Sequence, residues 1–464
     1  MGAPPERRRF WHADVAWIGG VAERVTIGVE AGRIASLEID TTPPSGARIL
    51  RGMTLPGLAN PHSHALHRAL RARTQSGAAD FWAWRRLMYE LVDRLDPERY
   101  YELARATYAE MALAGITVVG EFHYLHHRSG GRSYADPNAM GEALLAAAAD
   151  VGIRITLIDT CYLQAGVGGD PLEPPQRRFS DGDAGAWADR VETLSGSPTA
   201  RIAAAIHSVR AVDPPSMATV RDWTRARGAP LHVHASEQPR ENQECIDVTG
   251  MTPAALLAEA GVLGSDTTVV HATHVTAADI ELLGSTGTTV CLCPTTERDL
   301  GDGVGPAHAL AAAGSPITVG SDMHAVIDVF EELRALELDQ RLITGRRGLH
   351  SPGQLLLAAT GAGARSLGWD DRGLALGAPA DFTTVRLDSP RTAGATAETA
   401  LEHVVFAATA ADVTDVVVAG RPVVESGRHV RIDDVGRALR DAISALVDPA
   451  SLGVANQAGR RVNI

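Results

Sequence analysis

Between Ile116 and Asp322, short β-branched runs alternate with Ala- and Leu-rich stretches of helical length, and this alternation narrows the possible folds more than any other feature. The runs lie at 116–119, 153–158, 202–206, 231–234, 268–271, 289–292 and 317–320, and Met53–Leu58 upstream makes eight. Between them, 97–114, 138–151, 214–228, 252–261 and 276–285 carry helical patterns. Strand followed by helix, repeated eight times over about 270 residues, predicts an α/β fold, a TIM-like (β/α)8 barrel. The flanks differ. Residues 10–50 and 381–430 carry short β-rich runs punctuated by glycine, which predicts a small β-sandwich domain formed from both chain ends. The expected divisions are 1–55 and 381–464 for the two halves of that sandwich and 56–380 for the barrel, with 435–464 read as a helix and a loose tail.

Composition then removes several chemistries. The chain has 43 basic residues and no lysine, so every one of them is arginine. A Schiff-base lysine, a P-loop lysine and a carboxylated lysine bridging two metals are all excluded. The net charge of −13 argues against a nucleic-acid partner, because affinity for phosphate backbones comes from clustered cations. No apolar run approaches the ~20 residues that cross a bilayer, so no membrane partner is expected. Arg7-Arg8-Arg9 is not followed by an apolar segment of the kind a secretion signal needs, and the expected location is cytoplasmic. Cys161, Cys245, Cys291 and Cys293 are too few for a disulfide framework; Cys291 and Cys293 share one face of a buried strand and read as inert thiols.

The histidines carry the functional signal. Of 17, 13 lie between 62 and 324. His62, His64, His123, His207, His232, His234 and His271 fall at the ends of predicted strands, with Asp322 closing the last. That is the rim where barrel enzymes build their sites. One such histidine is more often a core residue; so many strand ends together point to a metal. In a strand, residues i and i+2 face the same way, so His62 and His64 can both aim at one ion. A third imidazole from the fifth strand and the Asp322 carboxylate complete an N3O set, with an open position for water. Periodicity leaves open whether that imidazole is His232 or His234.

These residues resemble the amidohydrolase superfamily. Pro56-Gly57-Leu58-Ala59-Asn60-Pro61-His62-Ser63-His64 is similar to its first-strand signature and Gly320-Ser321-Asp322 to its last. His234-Ala235-Ser236-Glu237 is similar to the His-x-x-Glu of its single-metal deaminase branch, which implies His234 as the ligand. Further stretches, among them 81–85, 121–127, 131–137, 207–211, 271–274 and 296–303, resemble the members that act on a linear formimidoyl amidine. One departure stands out: His67 occupies a position where that group carries glutamine.

The resemblance implies one divalent ion, Zn²⁺ in preference to Fe²⁺, held by His62, His64, His234 and Asp322. It implies Asp322, Glu237 and His271 as catalytic groups and Arg85, Tyr124, His207 and Arg210 as substrate contacts, with His67 beside them. Asp322 takes the proton of the attacking water, Glu237 serves the leaving nitrogen, and His271 polarises the water or steadies the intermediate. The plainer role for Glu237 is to orient a ligand imidazole. The implied substrate is a small dianionic amino acid, N-formimino-L-glutamate, hydrolysed to N-formyl-L-glutamate and ammonia. In a net-negative protein, local arginine forks must attract it. The alternative is a deaminase of a cyclic amidine such as a pyrimidine or purine, which needs no pair of cations. A barrel that has lost catalysis would show gaps among the ligands, and none is present. A homodimer stays open.

Overall fold

A computed structural model describes residues 8–73, 81–370 and 372–447. Four strands open the chain: β1 (Arg9–Trp17), β2 (Val21–Glu30), β3 (Arg33–Glu38) and β4 (Arg48–Pro56). Eight more follow: β5 (Leu58–Ser63), β6 (Ile116–His123), β7 (Arg154–Cys161), β8 (Ala200–Ser208), β9 (Leu231–Ala235), β10 (Thr267–His271), β11 (Thr289–Leu292) and β12 (Ile317–Val319). Near the end of the chain come β13 (Phe382–Val385), β14 (Val413–Val418), β15 (Arg421–Glu425) and β16 (Arg428–His429).

Strands β5 to β12 pair in sequence order, all parallel, as one eight-stranded sheet. A parallel bridge between Ser63 and Asp322 brings its two edges together. The seam is made by His64 N–H donating to the Asp322 carbonyl at 3.1 Å and Asp322 N–H donating to the His62 carbonyl at 3.0 Å. Segments predicted to carry metal ligands therefore also close the barrel. Helices Pro97–Leu113, Ala139–Val151, Pro214–Arg227 and Ala277–Ser285 lie in the intervals expected of them. Strands β6 and β7 are buried at every position, as strands covered on both faces must be.

The remaining strands form a second eight-stranded sheet in the order β16-β15-β14-β13-β4-β1-β2-β3, so both chain ends share one ladder. It closes over its own core of Trp11, Ile27, Leu50 and Phe382. One sequence expectation is corrected. The run Met53–Leu58 is not the first barrel strand: Met53–Pro56 ends β4 in the second sheet, and the barrel begins at Leu58. Gly57 is the break between them, where an added side chain would run into Thr117. The terminal helix runs from Val435 to Leu446; the expected tail beyond it and the N-terminal arginine run up to Arg7 lie outside the described residues. Among the described residues, no helix is long and apolar enough to cross a membrane.

Candidate metal centre and catalytic cleft

The strand ends deliver their side chains to one point. Asp322 Oδ1 lies 3.3 Å from His62 Nε2 and 3.4 Å from His64 Nε2, and His62 Nε2 lies 3.1 Å from His234 Nε2. The other ring nitrogens of two of these histidines are occupied. His64 Nδ1–H donates to the Phe122 carbonyl and His234 Nδ1–H to the His207 carbonyl, both at 2.9 Å. That leaves each Nε2 with its lone pair toward the cluster, the outer arrangement that orients metal-ligating imidazoles. Burial first, then neighbouring imidazoles, hold His62, His64 and His234 well below the usual histidine range, hence neutral. Converging neutral nitrogens beside a carboxylate fit a divalent cation and very little else.

His271 follows on β10. Its Nε2 stands 3.9 Å from both Asp322 Oδ2 and Glu237 Oε1, and its Nδ1 faces Glu297 Oε1 at 3.4 Å. Desolvation opposes its charge, but Glu237, Glu297 and Asp322 outweigh that and raise it well above the ordinary value. Burial likewise works against the Asp322 charge, and His271, His64, His234 and His67 together hold its carboxyl below the usual range. Ser236, His271, Ala272, Asp322 and His324 all take positive φ, between 41° and 73°. Left-handed backbone at non-glycine residues is costly and collects where side chains must be aimed.

These groups open into one cleft, which brings together His64, His67, Tyr124, His207, Arg210, His234, Glu237, His271 and Asp322. Aromatic walls come from Tyr89, Tyr162 and Phe179. His67, on the short helix Ala65–Leu70, pairs its Nε2 with the Tyr124 hydroxyl at 3.0 Å and is pushed down to about 4 by burial. Arg210 reaches the cleft with an Nε that has no hydrogen-bond partner. Burial opposes its charge, and Glu241 and Glu237 more than restore it. Arg85 belongs to helix Phe81–Arg94, but its side chain lies outside the described residues. His232 is separate from the cluster: its Nε2–H donates to the Ser366 carbonyl at 2.9 Å, deeper in the barrel. His123 is turned away altogether.

Other residues of the site escaped the sequence reading. Glu121, fully buried, accepts the Ser63 hydroxyl and the Ala65 N–H, each at 2.7 Å, and so grips the chain on either side of His64. Ser63 also pairs with His324 Nε2 at 3.2 Å; His324 Nδ1 meets the Ser321 hydroxyl at 2.9 Å, and Asn60 binds Ser321 twice. This polar lattice braces the seam behind the imidazole cluster. Burial pushes Glu121 up to about 8, and burial with the nearby Glu237 charge does the same for Asp302. The available signal was a carboxylate inside a strand that is otherwise nearly all apolar.

A parallel barrel with three imidazoles and a carboxylate at the C-terminal ends of its strands defines a metal-dependent hydrolase. The chain belongs to the amidohydrolase family, whose match spans residues 53–423, and it is a hydrolase acting on carbon–nitrogen bonds. A formimidoylglutamate deiminase of Pseudomonas aeruginosa is 37% identical over 446 residues, covering 92% of this chain and 97% of that one. A 5-methylthioadenosine/S-adenosylhomocysteine deaminase of Natronomonas pharaonis is 28% identical over 395 residues, covering 84% and 85%. The crystal structure of an amidohydrolase from Brucella melitensis superposes with a TM-score of 0.89 at 34% identity, covering 95% of this chain and all of that one.

Proposed function

We propose that this enzyme hydrolyses N-formimino-L-glutamate to N-formyl-L-glutamate and ammonia, a step of histidine degradation, using one Zn²⁺ held by His62, His64, His234 and Asp322. The observation that carries the reading is Arg210: a half-buried guanidinium whose Nε is itself buried and unpartnered, in the same cleft as the imidazole cluster. A neutral ring amidine gives such a cation no partner, whereas the carboxylates of a glutamyl group do.

The bound ion supplies Lewis-acid activation of a water, lowering its pKa toward about 7. The protein supplies the proton transfers. Asp322 Oδ2 accepts the proton of the attacking water as its oxygen adds to the formimidoyl carbon. Protonated His271, held by Glu297, donates from Nε2 toward the charge developing on that oxygen. Glu237 delivers both water protons to the terminal nitrogen, the one taken by Asp322 as the oxygen adds and the one that leaves that oxygen as the carbon–oxygen double bond forms, so the carbon–nitrogen bond breaks and ammonia leaves instead of amide anion. Arg210, with Arg85 by resemblance, takes the carboxylates, while Tyr124, His207 and His67 frame the acyclic chain.

The test is ammonia release from N-formimino-L-glutamate beside cytosine, guanine and N-formyl-glutamate, with metal measured on the same sample. Only the first should turn over. Arg210→Met should raise KM for formimino-glutamate by about 10²-fold, the scale of a lost charge-assisted pair, and leave an uncharged amidine nearly unaffected. Equal effects on both would rule out carboxylate recognition.

A further inference from the structure

Asp322 faces two ways. Its Oδ1 is turned to His62 and His64, and its Oδ2 to His271 Nε2, 3.9 Å away. His271 Nδ1 is taken by Glu297, so Nε2 is the ring's ligand atom. Glu237 Oε1 stands a further 3.9 Å from that nitrogen. The Cys293 thiol completes a second set, because ligating atoms of His271, Cys293 and Asp322 all lie within 4.8 Å of one another. Cys293 is fully buried, clustered with Cys291 and Val270, while His271, Glu237 and Asp322 line the cleft and give an ion its way in.

We propose that Asp322 bridges two ion positions, and that a second, thiophilic divalent cation binds His271 Nε2, Cys293 Sγ and Asp322 Oδ2, with Glu237 Oε1 in reach, and inhibits the enzyme. The first position offers three imidazoles and one carboxylate oxygen. The second replaces two imidazoles with sulfur, and a thiolate donor selects zinc and softer ions over magnesium or calcium. Binding displaces the Nε2 proton of His271 and breaks the S–H bond of Cys293, forms a nitrogen–metal and a sulfur–metal bond, and releases both protons to solvent; no electrons are transferred. An ion there withdraws His271 and Glu237 from proton transfer, so occupancy and turnover oppose each other. The inhibitory consequence rests on the function proposed above; the binding does not.

The probe is Cd²⁺, added to enzyme holding one equivalent of zinc. The expected result is uptake of a second ion without zinc release, an ultraviolet sulfur-to-cadmium charge-transfer band rising in step, and inhibition that a weak chelator reverses. In Cys293→Ser and Cys293→Ala, one-zinc turnover is unchanged, the band is absent, and the half-inhibiting concentration rises about tenfold or more. Displacement of zinc by cadmium, no band in the unaltered enzyme, or equal cadmium sensitivity in both cysteine variants would overturn the proposal. Should the one-zinc enzyme fail to deiminate N-formimino-L-glutamate yet still develop the band, the second position stands and the substrate assignment falls.

Discussion

His62, His64, His234 and Asp322 meet on the lumen side of the barrel; His123, His126 and Asp159 meet on its outer side, against helices Ala139–Val151 and Ala184–Val191. Both clusters are buried and both combine imidazoles with one carboxylate. In the outer one the cation is built in. Arg190 clasps Asp159 at 2.8 and 3.0 Å and Asp181 at 2.9 Å through two further bonds, and Trp187 Nε1 donates to Asp159 at 3.0 Å. Burial opposes the Asp159 charge, but Arg190 outweighs it and holds that carboxyl below its usual range. Asp322, by contrast, makes no salt bridge to an arginine among the described residues; its ionic partners are His62, His64 and His271. Residue types alone do not mark a metal site. A carboxylate set among converging imidazole nitrogens, with no arginine committed to it, does.

The sharpest way to break that contrast is to remove one member from each cluster. His234→Ala should lose the ion and cut turnover by more than about 10⁴, beyond the 10²–10⁴ that a single proton-transfer group supplies, while the melting temperature falls no further than that of the metal-free unaltered enzyme. Glu237→Gln, by comparison, should keep the ion and lose about 10²–10⁴ in kcat. Arg190→Met should do the reverse of His234→Ala. It strands two buried carboxylates, which costs about 3–5 kcal/mol of stability, yet folded molecules keep their metal. Metal analysis and thermal unfolding on the same preparations decide it; if Arg190→Met loses its metal while staying folded, the two clusters are not independent.

Why one cluster was legible in the sequence and the other misleading comes down to phase. His62-Ser63-His64 states its own phase, since two ligands at i and i+2 must share a face. His123 looked equivalent, but Phe122 is the residue packed on the ligands, with its ring 4.3 Å from that of His234, so His123 points outward. Strand β6 is buried on both faces, and no alternation of polarity reveals which residues face in. His232 and His234 share a face, and only depth separates them: Ser366 takes the lower ring. The Gly57 break, which ends one sheet and starts another, was hidden inside a continuous apolar run. The role of Glu121 depends on barrel closure, because it acts on Ser63 and Ala65, more than fifty positions away.

Glu121 sharpens the comparison from the rim side. Its carboxyl group is to the His62–His64 segment what Arg190 is to Asp159, a buried partner that fixes the geometry of its neighbours. Glu121→Gln keeps the shape but replaces one of the two acceptor oxygens that hold Ser63 and Ala65 with an amide donor, and should lower metal affinity by about 10–100-fold, the usual cost of losing an outer-shell partner. Chelator competition measures it. Unchanged affinity would leave Glu121 only a spacer in the wall.

Acid distinguishes the two clusters last and most gently. Burial, then the Arg190 charge, pushes His126 down to about 4 from an ordinary 6.5. Between those values the unfolded chain binds a proton that the folded chain refuses, so stability rises with pH across that window. The contribution is complete above about 6.5 and is lost progressively as the pH falls toward 4. At the rim the same acid competes with a bound ion for the clustered imidazole nitrogens, so its effect on stability runs through metal affinity. Metal-free protein removes the rim term. There, His126→Phe should shrink the difference in unfolding free energy between about pH 7 and pH 5 by about 2 kcal/mol, whatever it does to absolute stability. Urea unfolding at the two pH values measures that difference. If the slope is unaltered, His126 is not held neutral by its burial beside Arg190, and the built-in cation does not explain why this cluster needs no metal.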